Sequence, residues 1–294
     1  MGFPFSAGAG PAGIAAPADA CDCHIHVYDS RYPAAPGAAL QPPDASVADY
    51  AQIQARMGTS RAVLVTPSTY GTDNAPMLGG LAQLGAQGRG VAVIDGHESD
   101  EELERLQVAG VRGARVNLSL GPALAPQAIA RIADRIAAWG WHLQLLMPTA
   151  QLPQLAPLLR RLPVELVFDH FARITPEQAP GHPAHALAMD LLSDGKAWIK
   201  LSGGYLVSPL RSVEDPGLDA LARSFLDVAP NRVVWGSDWP HATASAGHQP
   251  MPDDARQIER LAQWAGDAAT LHAVLVDNPQ RLYDFEPSSK DPKD

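Results

Sequence analysis

Eight short apolar segments, each followed by a stretch with helical spacing, constrain this chain more than any other feature. The segments at 20–26, 61–67, 90–95, 111–117, 141–147, 164–169, 197–202 and 232–237 are rich in Val, Ile or Leu, as parallel strands buried on both faces should be. Helices are expected near 46–57, 73–87, 99–109, 125–139, 149–161, 183–194 and 215–228, with two more at 252–265 and 267–276. Ile129, Ile132, Ala133 and Ile136 recur at the spacing of one helix face, and Ser99 with Glu102 forms a capping box. The helix at 73–87 is the weakest, because Gly79 and Gly80 lie inside it. Eight such alternations predict an α/β fold of the (β/α)8, or TIM-barrel, class. The rival is an open doubly wound sheet, but no Gly-rich phosphate loop follows the first strand.

The bulk properties fit that fold. A length of 294 residues suits one α/β barrel, and 46% apolar residues suffice for its core. The net charge of −10 argues against nucleic acid or an anionic membrane as partner. No apolar run approaches the roughly 18 residues of a membrane span. The expected partner is therefore a small molecule, with the chain a monomer or small homo-oligomer. Residues 1–19 are dominated by Gly, Ala and Pro without the basic start of a secretory signal, and read as a loose N-terminal arm. The catalytic domain is expected over 20–286, with a disordered tail at 287–294. Cys21 and Cys23 are too close for a disulfide framework, which suits a reducing cytoplasm. Strand alternation is expected to put both thiols on the face opposite His24 and His26, arguing against a mixed Cys/His zinc site.

In a closed barrel the first and last strands are neighbours, so His24 and His26 on the first would meet Asp238 after the last. Chemistry in such barrels sits at the C-terminal strand ends. Those ends carry His24 and His26, Ser68 and Tyr70, Asp95, Arg115 and Asn117, Gln144 and Leu146, His170 and Arg173, Ser202 and Tyr205, and Asp238 and His241. A lone strand-end His is commonly structural, and an Asp after a strand commonly caps a helix. Three histidines and an Asp on one rim favour function instead.

The segments Asp22-Cys23-His24-Ile25-His26-Val27-Tyr28, Gly71-Thr72-Asp73-Asn74, Phe168-Asp169-His170 and Trp235-Gly236-Ser237-Asp238-Trp239-Pro240-His241 resemble the amidohydrolase superfamily. The resemblance runs from about residue 20 to residue 285. It is strongest to the lactone-processing branch that includes 2-pyrone-4,6-dicarboxylate hydrolase, 4-sulfomuconolactone hydrolase and D-galactarolactone isomerase. Metal-bearing members use the strand-one histidines, a strand-five residue and the strand-eight Asp. Here His142 lies too early on strand five and Leu146 occupies its rim, so the expectation is a metal-free site with no cofactor. One zinc on His24, His26 and Asp238 is the alternative, since a catalytic zinc needs only three protein ligands.

The chemistry expected is hydrolysis of an internal ester. Asp238 would activate water, while His24, His26 and His170 would polarise the carbonyl. Arg115 or Arg173 would bind a substrate carboxylate, and Ser68, Tyr70, Asn117, Tyr205 and His241 would contact the remainder. Lys200 shares strand parity with Ser202, which would let it face the barrel and pair there, but it reads as structural. Leu118-Ser119-Leu120-Gly121 and Gly203-Gly204-Tyr205-Leu206 stand where the pyrone-dicarboxylate enzyme has further arginines, so a sugar-acid lactone, as in aldarate catabolism, is the better guess. Three alternatives remain: a lactone isomerase that shifts the ester without net hydrolysis, a metal-dependent decarboxylase, and a non-catalytic ligand-binding barrel.

Overall fold

A computed structural model describes residues 2–119 and 125–287. Eight parallel strands follow one another around a single sheet: β1 Cys21–Ile25, β2 Arg61–Val65, β3 Gly88–Ala92, β4 Val111–Asn117, β5 His142–Leu146, β6 Leu166–Phe168, β7 Ala197–Ser202 and β8 Val233–Gly236. Closure comes from β1 lying against β8 and the residues that follow it. Asp238 N–H donates to the His24 carbonyl at 2.9 Å, and His26 N–H donates to the Trp239 carbonyl at 2.8 Å. The seam that closes the barrel thus runs through the residues singled out above. This is the expected (β/α)8 class.

Alternation along each strand divides the core into two parts. Leu64, Leu145, Phe168, Ile199, Leu201 and Trp235 face outward onto the helices. Val63, Val65, Val91, Val167 and Val234 face inward, with Tyr283 and Phe285 closing the far end. Cys21 and Cys23 belong to the inward set, which corrects the expectation that they face away from the histidines. The reason is a bulge. Asp22 pairs with Ala62 and Ile25 with Leu64, so three steps on β1 oppose two on β2 and break the alternation. Cys21, Cys23, His24 and His26 therefore all enter the barrel, while Asp22 turns outward to accept from the Tyr50 hydroxyl at 3.0 Å.

Two element boundaries differ from expectation for local reasons. β3 begins at Gly88 rather than residue 90, because Gly88 and Arg89 already pair with Ala62 and Val63 of β2. The expected helix at 149–161 is instead two 3-10 turns and one helical turn at Ala156–Leu159, since Pro153 and Pro157 cannot donate to a continuous helix. The helix at 73–87 does form, over Ala75–Leu84.

The N-terminal arm, expected to be loose, is tied to the barrel. Phe5 packs edge-on to Trp239 at 5.7 Å, and the Trp239 indole donates to the Pro4 carbonyl at 3.0 Å. Arg56 donates to the Gly10 carbonyl at 2.7 Å and to Ser6 Oγ at 2.7 Å. The tail expected at 287–294 lies outside the described residues from 288 on, as do Leu120 and Gly121. No helix among the described residues is long and apolar enough to cross a membrane.

Candidate active site

Strand ends deliver the site residues to the C-terminal mouth of the barrel. His24 and His26 come from β1, and Asp238 follows β8. Gly236 makes their approach possible, since a Cβ there would lie 2.6 Å from the His24 backbone nitrogen. His170 and Arg173 lie on a turn after β6 in which four consecutive non-glycine residues take left-handed φ values: His170 51°, Phe171 55°, Ala172 54° and Arg173 59°. Asp238 (φ 70°) and His241 (φ 59°) do likewise. Such conformations cost on the order of 1 kcal/mol each for residues with a Cβ. Here the turn aims both His170 and Arg173 into one cavity.

Three imidazole nitrogens converge on one carboxylate oxygen. His24 Nε2, His26 Nε2 and His170 Nε2 stand 3.6, 3.9 and 3.8 Å from Asp238 Oδ1. The two strand-one rings are 3.3 Å apart, Nε2 to Nε2. All four residues are buried. The far sides of the rings decide what the near sides can do. His26 Nδ1 lies 2.7 Å from the Val65 carbonyl, an acceptor only, so His26 carries its proton there and turns a lone pair inward. His170 Nδ1 meets the Ser202 hydroxyl at 2.9 Å, which can donate or accept. His24 Nδ1 is shared between Asp169 Oδ1 at 3.2 Å and Lys200 Nζ at 3.3 Å, an acceptor and a donor. Two proton arrangements are therefore self-consistent. When Lys200 and Ser202 donate outward, His24 and His170 offer N–H groups to the centre. When Asp169 and Ser202 accept instead, all three rings offer lone pairs.

The second arrangement is that of a metal site. His24, His26 and Asp238 bring their donor atoms within 4.8 Å of one another, as do His24, Asp169 and His170, and either set fits a zinc-like divalent cation in donor type and number. The sequence argument from Leu146 on β5 is met by His170, which supplies a donor beside the three anticipated.

Electrostatics agree that the rings are neutral. Burial holds His24 well below the ordinary histidine value, against the pull of Asp169. Burial, reinforced by Arg115, lowers His26 to about 4. Burial likewise lowers His170. Asp238 stays below the usual carboxylate value despite its burial, because the three histidines and the Tyr205 hydroxyl favour its charged form.

Beneath the histidines lies a buried layer centred on Asp169, to which sequence reasoning gave no role. Asp169 contacts Lys200 Nζ at 3.4 Å and Arg115 Nε at 3.5 Å, and accepts from Gln144 Nε2 at 3.0 Å. Burial opposes its ionisation, yet Lys200 and His24 hold it well below the usual range. Lys200, read as structural, is fully buried and touches His24 directly. The available signals were the parity Lys200 shares with Ser202 and Asp169 shares with Val167. Both place the side chain inside the barrel.

Above this layer opens a cavity of about 150 Å³, a scale that holds one six-membered ring. His26, His170, Asp238, Arg115, Arg173 and Ser68 line it. Tyr28, unassigned from sequence, adds a phenol, and Leu40, Leu146 and Leu206 form an apolar wall. Other expected contacts lie behind these. Tyr70 is engaged with the Asp29 backbone, its oxygen accepting from Asp29 N–H at 2.8 Å. Asn117 donates to Ser68 Oγ at 2.6 Å. Tyr205 and His241 stand on the far side of Asp238, the Tyr205 hydroxyl donating to Asp238 Oδ2 at 2.6 Å and lying 3.1 Å from His241 Nδ1. None of these four lines the cavity among the described residues. Asp95 is turned away, its carboxylate accepting from His97 N–H.

Comparison with known proteins gives the family. The chain is 33% identical to a 2-pyrone-4,6-dicarboxylate hydrolase from Comamonas testosteroni, over 91% of this chain and 90% of that protein. It is 30% identical to a D-galactarolactone isomerase from Agrobacterium fabrum, over 92% and 93% of the two chains. A crystal structure of a probable 2-pyrone-4,6-dicarboxylic acid hydrolase from Acinetobacter baumannii with citric acid bound superposes with a TM-score of 0.79, at 27% identity, covering 91% of this chain and all of that one. The amidohydrolase family model matches residues 21–285, and with the histidine pair of β1 meeting the Asp after β8, the chain belongs to the amidohydrolase family.

Proposed function

We propose that this enzyme opens the internal ester of a small, single-ring lactone bearing a carboxylate. The observation that carries the reading is Asp238 Oδ1 facing three histidines, of which His26 and His170 line with it a cavity whose walls present Arg115 and Arg173. Relatives named for lactone hydrolysis and lactone isomerisation support the reaction class. Arg115 or Arg173 takes the substrate carboxylate and fixes the ring against the apolar wall. Asp238 accepts a proton from water as the oxygen attacks the ester carbonyl. The ring C–O bond then breaks, and Asp238 returns the proton to the departing alkoxide. With Ser202 donating to its Nδ1, His170 offers its Nε2–H to the carbonyl oxygen as charge develops, while the fully buried His24 turns its own Nε2–H to the His26 lone pair at 3.3 Å. The hydroxyls of Ser68, Thr69 and Tyr28 at the cavity suit a ring carrying hydroxyl groups, which favours a sugar-acid lactone.

This is the metal-free reading. The grouping of His24, His26 and Asp238 within 4.8 Å of one another supports a second, in which these three hold one divalent cation. When bound, such an ion would polarise the carbonyl and lower the pKa of water.

The test is turnover of a lactone panel, D-galactarolactone and 2-pyrone-4,6-dicarboxylate included, by the purified protein and its Asp238→Asn variant. Metal content and the effect of chelation are measured alongside. Proton release identifies a hydrolase, and a new lactone without proton release identifies an isomerase. Asp238→Asn is expected to lose about 10²–10⁴-fold in kcat. Binding of the lactone with no turnover by the wild-type protein would sink the enzymatic reading. Activity that follows stoichiometric metal through chelation and restoration would replace the metal-free reading with the second.

A further inference from the structure

Asp238 is held from behind by a buried chain of side chains, none of which lines the cavity that Asp238 faces. The Tyr205 hydroxyl donates to Asp238 Oδ2 at 2.6 Å. Its one proton is then committed, so its 3.1 Å contact with His241 Nδ1 requires His241 to donate into the phenol oxygen. The other ring nitrogen of His241 lies 3.2 Å from Asp254. Gln257 Nε2 donates to Asp254 Oδ1 at 3.0 Å and also to the Ser237 carbonyl at 3.0 Å, tying the end of the chain to the residue before Asp238. Tyr205, His241, Asp254 and Gln257 are all buried, at 2%, 0%, 0% and 4% exposure. Their hydrogen bonds therefore compete with no bulk water. Asp238 itself sits at a left-handed φ of 70°, a backbone setting that persists only when its surroundings dictate it.

We propose that Tyr205 is a positioning residue, held by His241 and Asp254, that fixes Asp238 Oδ2 so that Oδ1 alone faces the three histidines. A carboxylate is two-fold about its terminal torsion and rotates easily when unanchored. With Oδ2 pinned, the lone pairs of Oδ1 point where the water must stand. Tyr205 and His241 thus act through Asp238 and do not touch the substrate. The inference rests on the reading of Asp238 as the proton acceptor.

Tyr205→Phe removes one hydroxyl and nothing else. We expect its crystal structure to show the Asp238 carboxylate turned, with Oδ1 no longer facing His24, His26 and His170. With D-galactarolactone or 2-pyrone-4,6-dicarboxylate, kcat is expected to fall about tenfold to a hundredfold while KM stays within about twofold. His241→Leu is expected to match Tyr205→Phe, whereas His241→Asn, whose amide can replace the Nδ1–H donor, is expected to keep most of the wild-type kcat. An unmoved carboxylate in Tyr205→Phe overturns the inference. So does a parallel fall in kcat, substrate affinity and thermal stability in Tyr205→Phe, with His241→Asn as impaired as His241→Leu. The two readings separate cleanly. Full turnover by Asp238→Asn removes the proton-acceptor assignment, whereas an inactive Asp238→Asn beside a fully active Tyr205→Phe removes only the positioning role.

Discussion

The imidazole of His142 is buried inside the barrel, edge-on to Tyr283 at 5.2 Å, and neither ring nitrogen has a well-formed hydrogen bond among the described residues. Burial, with the Lys200 charge nearby, lowers its pKa from 6.5 to about 3. The sign follows from proton counting. Between those two values the unfolded chain binds a proton that the folded protein refuses, so the contribution is intact above pH 6.5 and is lost as pH falls towards 3. At pH 4 it amounts to about 3 kcal/mol of lost stability. His142→Leu removes both the proton site and the unsatisfied nitrogens. It should move the acid-unfolding midpoint to lower pH and raise stability at neutral pH by about 1–2 kcal/mol. Chemical denaturation at pH 7 and pH 4.5 checks this, and a variant losing stability equally at both values would contradict it. His142 also marks how far sequence could see at this scale. Its early position on β5 was enough to exclude it from the rim, and the same reasoning found His24, His26, His170 and Asp238. What escaped was depth. Parity says which side chains enter a barrel but not which layer they occupy, so Lys200 and Asp169 were not recognised beneath the histidines, and Tyr205 and His241 were not recognised behind Asp238.

At the scale of elements, the meeting of β1 and β8 depends on Gly236. A Cβ there would fall 2.6 Å from both the His24 backbone nitrogen and the His24 Cβ, and backbone cannot give way as a flexible side-chain tip can. Gly236→Ala must therefore push β1 from β8 or distort the bulge that turns His24 inward. The expected cost is about 1–3 kcal/mol of stability. Activity should fall far more than the folded fraction does, because the displaced ring is one of the three that face Asp238. Thermal unfolding paired with turnover per folded molecule checks both halves of that statement. Unchanged turnover would mean that the seam tolerates spreading. Here the sequence was only partly legible. The eight strands and their order could be read from apolar segments and helical intervals. The β1 bulge could not, because strict alternation was the tool, and a bulge is the failure of alternation. That one extra residue sent Cys21 and Cys23 into the barrel alongside the histidines they were expected to oppose.

For the whole molecule, the N-terminal arm acts as a strap across the barrel's closing seam. Composition argued for a loose segment, since Gly, Ala and Pro offer little side chain to bury. The arm is instead held largely through its backbone, which composition does not report. Ala7 N–H donates to the Pro252 carbonyl at 2.8 Å, Ala12 N–H to the Arg56 carbonyl at 3.0 Å, and Gly13 N–H to Glu259 Oε1 at 2.6 Å. Ser6 Oγ accepts both from Arg56 and from Asp254 N–H at 3.2 Å. The arm thereby joins the helix Val47–Met57, which follows β1, to the helix Asp254–Ala265, which follows β8. Removing residues 1–13 would leave the Trp239 indole N–H and the buried Arg56 guanidinium without these acceptors. Orphaned buried donors cost about 1–3 kcal/mol each. The truncated chain is expected to unfold at a temperature lower by several degrees, and local opening should concentrate at the seam. The amides to watch are His26 and Asp238, which close the barrel through the Trp239 and His24 carbonyls. Their hydrogen exchange should speed by at least tenfold on truncation, while the inner amides of β4 and β5, which pair within the continuous sheet, keep their protection. Uniform acceleration across all strands would mean that the arm adds only general stability. No acceleration anywhere would mean that the seam holds without it, and that the backbone bonds at His24 and His26 suffice to keep the C-terminal ends of β1 and β8 together.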